Sequence, residues 1–183
     1  MNAARSPQPE DVLGFWFSSH AMARWFSRDD AFDAEIENLF EPLFEGAIKG
    51  ALDHWSDEPD GALALVILFN QFPRNMFRGN ARSFAYDERA REISAKAIEC
   101  GFDLDIARER RLFLYLPFMH SEDLADQRRC MELIEERLGE PAALRAARDH
   151  FAVIERFGRF PQRNAILARE ATAEESAFLA GRS

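Results

Sequence analysis

Apolar residues recur every three or four positions along most of the chain, which is the spacing of one face of an α-helix. The longest such stripe, in residues 29–49, consists of Phe32, Ile36, Leu39, Phe40, Leu43, Phe44, Ala47 and Ile48. Pro42 lies inside this stripe, so we expect either a kink or two abutting helices there.

Two segments, 62–69 and 112–116, are apolar without a break. A buried strand would also be apolar throughout, but the Ala and Leu content and Pro59, shortly before the first segment, favour helices. We expect the second helix to stop at Pro117. These two helices are predicted at the centre of the fold, with amphipathic helices around them.

Capping residues indicate the limits of the helices. Besides 29–49, the predicted segments are 8–17, 59–72, 86–99, 105–116, 121–138 and 141–157, of which 59–72 and 105–116 contain the two apolar segments. Ser121 is the expected N-cap of the fifth of these. Thr172 and Glu175 form a capping box for a last short helix. The connections are short, which favours antiparallel neighbours.

Composition favours an all-α fold, because 28 Ala and 17 Leu are accompanied by only 3 Val and 1 Thr. We expect one all-helical domain of eight or nine helices over residues 1–183, with a core at about 10–180. The net charge of −9 argues against a nucleic-acid partner.

No stretch is long and apolar enough for a membrane span, and residues 1–10 lack the apolar core of a signal peptide. Cys100 and Cys130 form no CxxC pair, so we expect free thiols in a reducing compartment. Together these features predict a cytoplasmic protein without a membrane partner.

Two arginine-rich segments without acidic residues, 70–86 and 156–169, are unusual in an acidic chain. They share a similar motif, which is Gln-Phe-Pro-Arg-Asn at 71–75 and Arg-Phe-Pro-Gln-Arg-Asn at 159–164. The guanidinium fork suits a carboxylate or phosphate. The candidate anion-binding residues are Arg74, Asn75, Arg78, Arg159, Arg163 and Asn164.

A structural role for these arginines is an equally open alternative. Arginines near helix ends bond the last carbonyls and oppose the helix dipole. Two of the candidates, Arg74 and Arg163, could also pair with buried acids such as Asp87, Glu122 or Glu155.

His120 and Glu122 are the candidate catalytic residues, because a histidine beside a carboxylate can move protons near neutral pH. Alternatively, Ser121 caps the next helix and Glu122 lies in its first turn. A metal site of His120, Glu122 and His150 is conceivable, but no HExxH motif or tight ligand pair exists. We therefore expect no metal and no cofactor.

Four separated motifs, at residues 15–17, 63–75, 113–122 and 156–164, resemble the bacterial domain-of-unknown-function 924 family. The resemblance covers about residues 10–180. It implies an all-helical, tetratricopeptide-like superhelix, and it implies no known activity.

Three positions depart from the family pattern. Asn70 stands where Asp is usual, Gln162 where His is common, and Met119 where Glu is frequent. Neutral side chains thus replace ionisable ones, which favours binding by fixed donors over proton transfer.

The sequence therefore predicts a pocket for a small anionic molecule, with catalysis as an option. The alternative is a tetratricopeptide-like scaffold for a peptide or protein partner, which requires a wide groove and exposed Phe72, Phe77 or Phe160. A third possibility is that these motifs only lock helix corners.

Overall fold

The helices predicted from the apolar pattern are present in the computed structural model, which describes residues 5–181. The α-helices are α1 (Pro9–Trp16), α2 (Ser19–Met22), α3 (Asp30–Ile48), α4 (Pro59–Val66), α5 (Phe72–Met76), α6 (Asp87–Glu99), α7 (Phe102–Asp105), α8 (Leu112–Met119), α9 (Leu124–Leu133), α10 (Pro141–Phe157) and α11 (Ala173–Ala180). No strand occurs in residues 5–181, so the prediction of an all-α fold is confirmed.

The two apolar segments form the centre of the fold, as predicted. Helix α4 packs against α1, α6 and α8, and every residue of 62–69 is at most 1% exposed. Residues 113–119 of α8 are also buried. The core therefore forms where α4 and α8 meet, because both are apolar on all sides.

A π-helical turn, Ile67–Gln71, joins α4 to α5, so that residues 59–76 form one continuous helix. Such turns insert an extra residue into a helix and are frequent at functional sites. This one carries Asn70 and Gln71, which are buried polar residues directly after the apolar segment. The turn directs the Asn70 side chain toward the start of α6 and the end of α8.

Pro42 and Pro117 both lie in the interior of a helix. A single helix, α3, runs through Pro42, so the alternative of two abutting helices is wrong. Helix α8 runs through Pro117, so the predicted stop there is also wrong. It begins at Leu112 after a 3₁₀ turn, Arg108–Arg110. The burial of residues 113–119 outweighs the backbone hydrogen bond that Pro117 cannot donate.

Helix α9 begins later than predicted, because its N-cap is Asp123 and not Ser121. The Asp123 carboxylate accepts hydrogen bonds from the N–H groups of Ala125 (2.6 Å) and Asp126 (3.3 Å). Ser121 Oγ instead donates to Asp126 Oδ2 at 2.6 Å. Residues 120–123 consequently form a short non-helical connection between α8 and α9. The predicted capping box of Thr172 and Glu175 is confirmed.

A buried ion pair ties α7 to α8 and to the π-helical turn that follows α9. Asp103, 0% exposed, accepts hydrogen bonds from Tyr115 Oη (2.7 Å) and Arg137 Nη1 (2.8 and 2.9 Å). Burial and the Asp103 carboxylate raise the pKa of Tyr115 well above its usual value. Tyr115 therefore remains a hydrogen-bond donor at any physiological pH.

Both cysteines are free thiols, Cys100 exposed and Cys130 buried. Burial raises the pKa of the Cys130 thiol to about 12, so it packs as a small apolar residue. Within residues 5–181, every helix is too short or too polar to cross a membrane. The tetratricopeptide-like superhelix stays a prediction.

Candidate functional site

A surface cleft of about 400 Å³ forms where the start of α6, the α8–α9 connection and residues 160–169 meet. His120, Glu122 and Arg163 line it, together with Phe84 and Asp87. The fold thus brings residues of the predicted His/Glu motif and of the second arginine segment to one place.

Asp87 is the anionic centre of this cluster. Its carboxylate accepts two hydrogen bonds from Arg74, at 2.7 and 2.9 Å, and one from Asn70 Nδ2 at 2.9 Å. Arg163 Nη1 lies 3.9 Å from Asp87 Oδ2. The prediction that Arg74 could pair with Asp87 is confirmed, and one arginine from each of the two arginine-rich segments, Arg74 and Arg163, lies at this carboxylate.

His120 is oriented by Asn70, not by Glu122. Its Nδ1 lies 2.7 Å from Asn70 Oδ1. The Asn70 amide cannot be turned around, because its NH₂ group donates to Asp87 and its oxygen also accepts from Gln71 Nε2 at 2.7 Å. Nδ1 of His120 must therefore carry the proton, and Nε2 carries the lone pair.

The His120 ring is neutral at pH 7. Burial, followed by the charges of Arg74 and Arg163 and the neighbouring His150, holds its pKa well below the usual value of 6.5. Within residues 5–181, Nε2 has no hydrogen-bond partner from the protein. The site therefore offers a hydrogen-bond acceptor that is a weak base.

Arg163 lies between two aromatic rings. Its guanidinium carbon is 4.6 Å from the Phe84 ring centre and 4.5 Å from the Phe160 ring centre, and Nη2 donates to the His120 carbonyl at 2.9 Å. Burial and the nearby Arg74 lower the pKa of Arg163 to about 10. It remains charged at pH 7, without a carboxylate at hydrogen-bond distance in the described residues.

Glu122 lines the cleft, but both of its oxygens are engaged. Arg169 donates to them at 2.6 and 3.0 Å, and the Phe160 N–H donates at 2.8 Å. Burial opposes ionisation of Glu122, but these hydrogen bonds outweigh it and lower the pKa. In this arrangement Glu122 fixes residues 160–169 over the end of α8.

Arg159 and Asn164 hold helix α11 in place. Arg159 donates to the Glu175 carboxylate at 2.6 and 2.8 Å, and Asn164 Nδ2 donates to it at 3.2 Å. Glu175 is only 2% exposed. These two predicted anion ligands thus already bind a carboxylate of the protein.

The remaining two candidates, Asn75 and Arg78, lie in a different cleft beside α3. Asn75 Nδ2 donates to Asp33 at 2.7 Å, and Arg78 donates to it at 2.5 and 2.8 Å. The structure therefore does not bring them together with His120.

The Glu175 carboxylate predicts a loss of stability in acid. The hydrogen bonds from Arg159 and the Thr172 N–H lower its pKa from 4.5 to about 2. Because the folded-state pKa is the lower one, this stabilisation is present above pH 4.5 and is lost as the pH falls toward 2. We expect melting temperatures of the wild type to fall across this range and those of Glu175→Gln to fall less. Parallel curves for the two proteins would contradict this assignment.

Sequence reasoning missed Asn70 as the partner of His120 and gave no role to Phe84 or Arg91, which also line the cleft. The sequence contained one indication of the role of Asn70, which is that it is the first polar residue after the apolar segment 62–69. Gln162, the second departure from the family pattern, lines a smaller adjacent cleft of about 180 Å³ with His150.

The rings of His120 and His150 are 6.5 Å apart. No group of three or more His, Cys, Asp and Glu side chains in residues 5–181 is arranged to hold a metal ion. Of the three aromatic residues that a protein-binding groove was expected to expose, Phe72 is 0% and Phe160 1% exposed, while Phe77 is half-buried.

Comparisons with known proteins agree with the family resemblance of the sequence and with the all-helical fold. A family model described as "Bacterial protein of unknown function (DUF924)" matches residues 12–182. A solved structure of a protein of unknown function from Agrobacterium tumefaciens is similar, with a TM-score of 0.88 and 40% identity over 93% of this chain and 96% of that chain. No curated protein matches. Neither description names an activity.

Proposed function

This chain belongs to the DUF924 family of bacterial proteins of unknown function, and from the geometry of its cleft we propose that it binds a small molecule with a carboxylate or phosphate group. The anionic group would contact Arg163, and the rest of the ligand would lie against His120 and the Phe84 ring. Arg74, which is paired with Asp87, would not contact the ligand but would hold Asp87 in its position at the cleft.

The charge of Arg163, which has no carboxylate at hydrogen-bond distance in the described residues, carries this proposal. Within the described residues, the other arginines of segments 70–86 and 156–169 each have a carboxylate at hydrogen-bond distance, whereas the carboxylate nearest to Arg163 is 3.9 Å away. Its side chain is only 12% exposed, so solvent compensates little of the charge. An anion in the cleft would supply the missing charge-assisted hydrogen bonds.

His120 supports binding more strongly than proton transfer. Its Nε2 can accept a hydrogen bond from the ligand, and catalysis would require that it also take the proton of an acidic ligand group. Glu122 would act by positioning, because it holds residues 160–169 and with them Arg163.

The first test is a thermal-shift screen of the full chain with phosphate, sulfate, sugar phosphates, nucleotides and small carboxylates. A ligand at 100 times its dissociation constant adds about 2.7 kcal/mol, or roughly 5–11 °C for a domain of this size. Arg163→Met should abolish the shift, because a methionine can fill the space between the two rings but cannot donate.

Arg89→Met is the matched control. Arg89 also lies over a ring, 4.5 Å from Phe69, and also donates to a backbone carbonyl, that of Ile48, at 3.1 Å. It does not line the cleft, so this variant should keep the ligand response. If no compound shifts the wild type, or if Arg163→Met responds as the wild type does, the proposal is wrong.

A further inference from the structure

We propose that the anion bound in the cleft must carry its own hydrogen-bond donor, an O–H next to the anionic oxygens, as in a protonated phosphate group or a 2-hydroxy acid. This inference rests on the proposed anion site and adds the ligand class that it selects. The shared chemistry is an anionic oxygen for Arg163 and an O–H for His120.

A chain of hydrogen bonds fixes which nitrogen of His120 can face a ligand. Arg74 holds Asp87, Asp87 accepts from Asn70 Nδ2 at 2.9 Å, and Asn70 Oδ1 accepts from His120 Nδ1 at 2.7 Å. Asn70 is 0% exposed, so no water competes for its amide. Nε2 is the nitrogen left for the cleft.

Nε2 cannot readily become a donor. Moving the proton from Nδ1 to Nε2 would set the Nδ1 lone pair against Asn70 Oδ1, and turning the amide would set that oxygen against Asp87. Adding a second proton is opposed by burial and by Arg74 and Arg163, which keep the pKa of His120 low. The hydrogen bonds around Asn70 and the nearby arginines therefore keep Nε2 of His120 as a hydrogen-bond acceptor.

The donor and the acceptor of the site line the same cleft. Arg163 Nη2 donates at 2.9 Å to the backbone carbonyl of His120 itself, so both groups are placed by one residue of the α8–α9 connection. Consider an anion that contacts Arg163 and whose oxygens carry no proton. Where such an oxygen reaches Nε2, its lone pair faces the lone pair of the ring nitrogen, which is repulsive. A ligand with an O–H at that point forms a hydrogen bond instead.

Titration calorimetry at pH 7 with two matched pairs of ligands tests this inference. Phosphate carries an O–H at this pH and sulfate does not, while lactate carries the hydroxyl that propionate lacks. We expect the donor-bearing member of at least one pair to bind about tenfold more tightly or better, the ratio for one hydrogen bond to a buried partner. The pair that shows the preference identifies the ligand class.

Two variants assign the preference to His120. In His120→Gln the amide can donate as well as accept, so the ratio should fall toward one while binding persists. In Asn70→Ala the oxygen that keeps the proton on Nδ1 is absent, so Nε2 can carry the proton and donate, and the ratio should also fall toward one.

The outcomes separate this inference from the proposed function. If all four anions bind equally and Arg163→Met abolishes binding, the anion site stands and the inference is wrong. If none of the four binds, the inference is wrong, and the thermal-shift screen with its larger ligands decides the proposed function. If the preference persists unchanged in His120→Gln and in Asn70→Ala, His120 does not cause it and the inference is overturned.

Discussion

Replacement of Asp87 with alanine is expected to lower the free energy of unfolding by about 3–5 kcal/mol, the cost of removing one partner of a buried ion pair. For a chain of this size, the melting temperature would fall by about 6–20 °C. The Arg74 and Asp87 side chains are 20% and 14% exposed, so little water can replace the lost carboxylate. Arg163 would also lose the carboxylate nearest to it.

Phosphate should restore part of this stability. With Asp87 gone, two adjacent guanidinium groups lie at the cleft, and an anion can occupy the place of the carboxylate. Melting curves of Asp87→Ala in phosphate and in chloride at equal ionic strength measure the effect. A loss below about 1 kcal/mol, the range of a surface ion pair, would show that Asp87 is not the centre of this cluster.

Replacement of Asp103 with alanine should be as damaging, at about 3–5 kcal/mol, but phosphate should not restore the loss. Asp103 is 0% exposed, and its removal leaves Arg137 and the Tyr115 hydroxyl without their partner. Arg137 does not line the cleft that holds Arg163. Urea unfolding gives the loss, and melting curves in phosphate and chloride give the response.

The two aspartate variants together separate a cleft effect from a general charge effect. If phosphate restores Asp103→Ala as much as Asp87→Ala, the anion acts on the protein as a whole and not at the cleft. If Asp103→Ala is as stable as the wild type, the hydrogen bonds of Asp103 with Tyr115 and Arg137 do not stabilise the packing of α7 against α8.

Helix boundaries that are specified locally could be predicted from the sequence. Helix α10 covers the predicted 141–157, because Pro141 opens it and Gly158 ends it in the left-handed conformation. Pro117 misled the same reasoning, because the burial of α8 on all sides overrides the local effect of a proline. Ser121 and Asp123 are both good N-caps, so local chemistry alone could not choose between them.

The candidate site could be predicted only in part. The repeated Phe-Pro and Arg-Asn pattern correctly indicated that Arg74 and Arg163 are related, and Asp87 was one of the acids expected to pair with them. The partners of His120 and Glu122 could not be derived, because they come from segments about 40 to 50 residues away along the chain. The π-helical turn that presents Asn70 has no sequence pattern of its own.

Nitrogen-15 NMR of the histidine side chains at pH 7, with and without phosphate, tests the central claim most directly, because it reports the tautomer and the ligand contact at one residue. Loss of one signal in His120→Gln assigns His120 among the four histidines. We expect a neutral ring with its proton on Nδ1, and an Nε2 resonance that moves with phosphate in the wild type but not in Arg163→Met. A proton on Nε2, or an Nε2 resonance that does not respond to phosphate, would contradict an anion site built from His120 and Arg163.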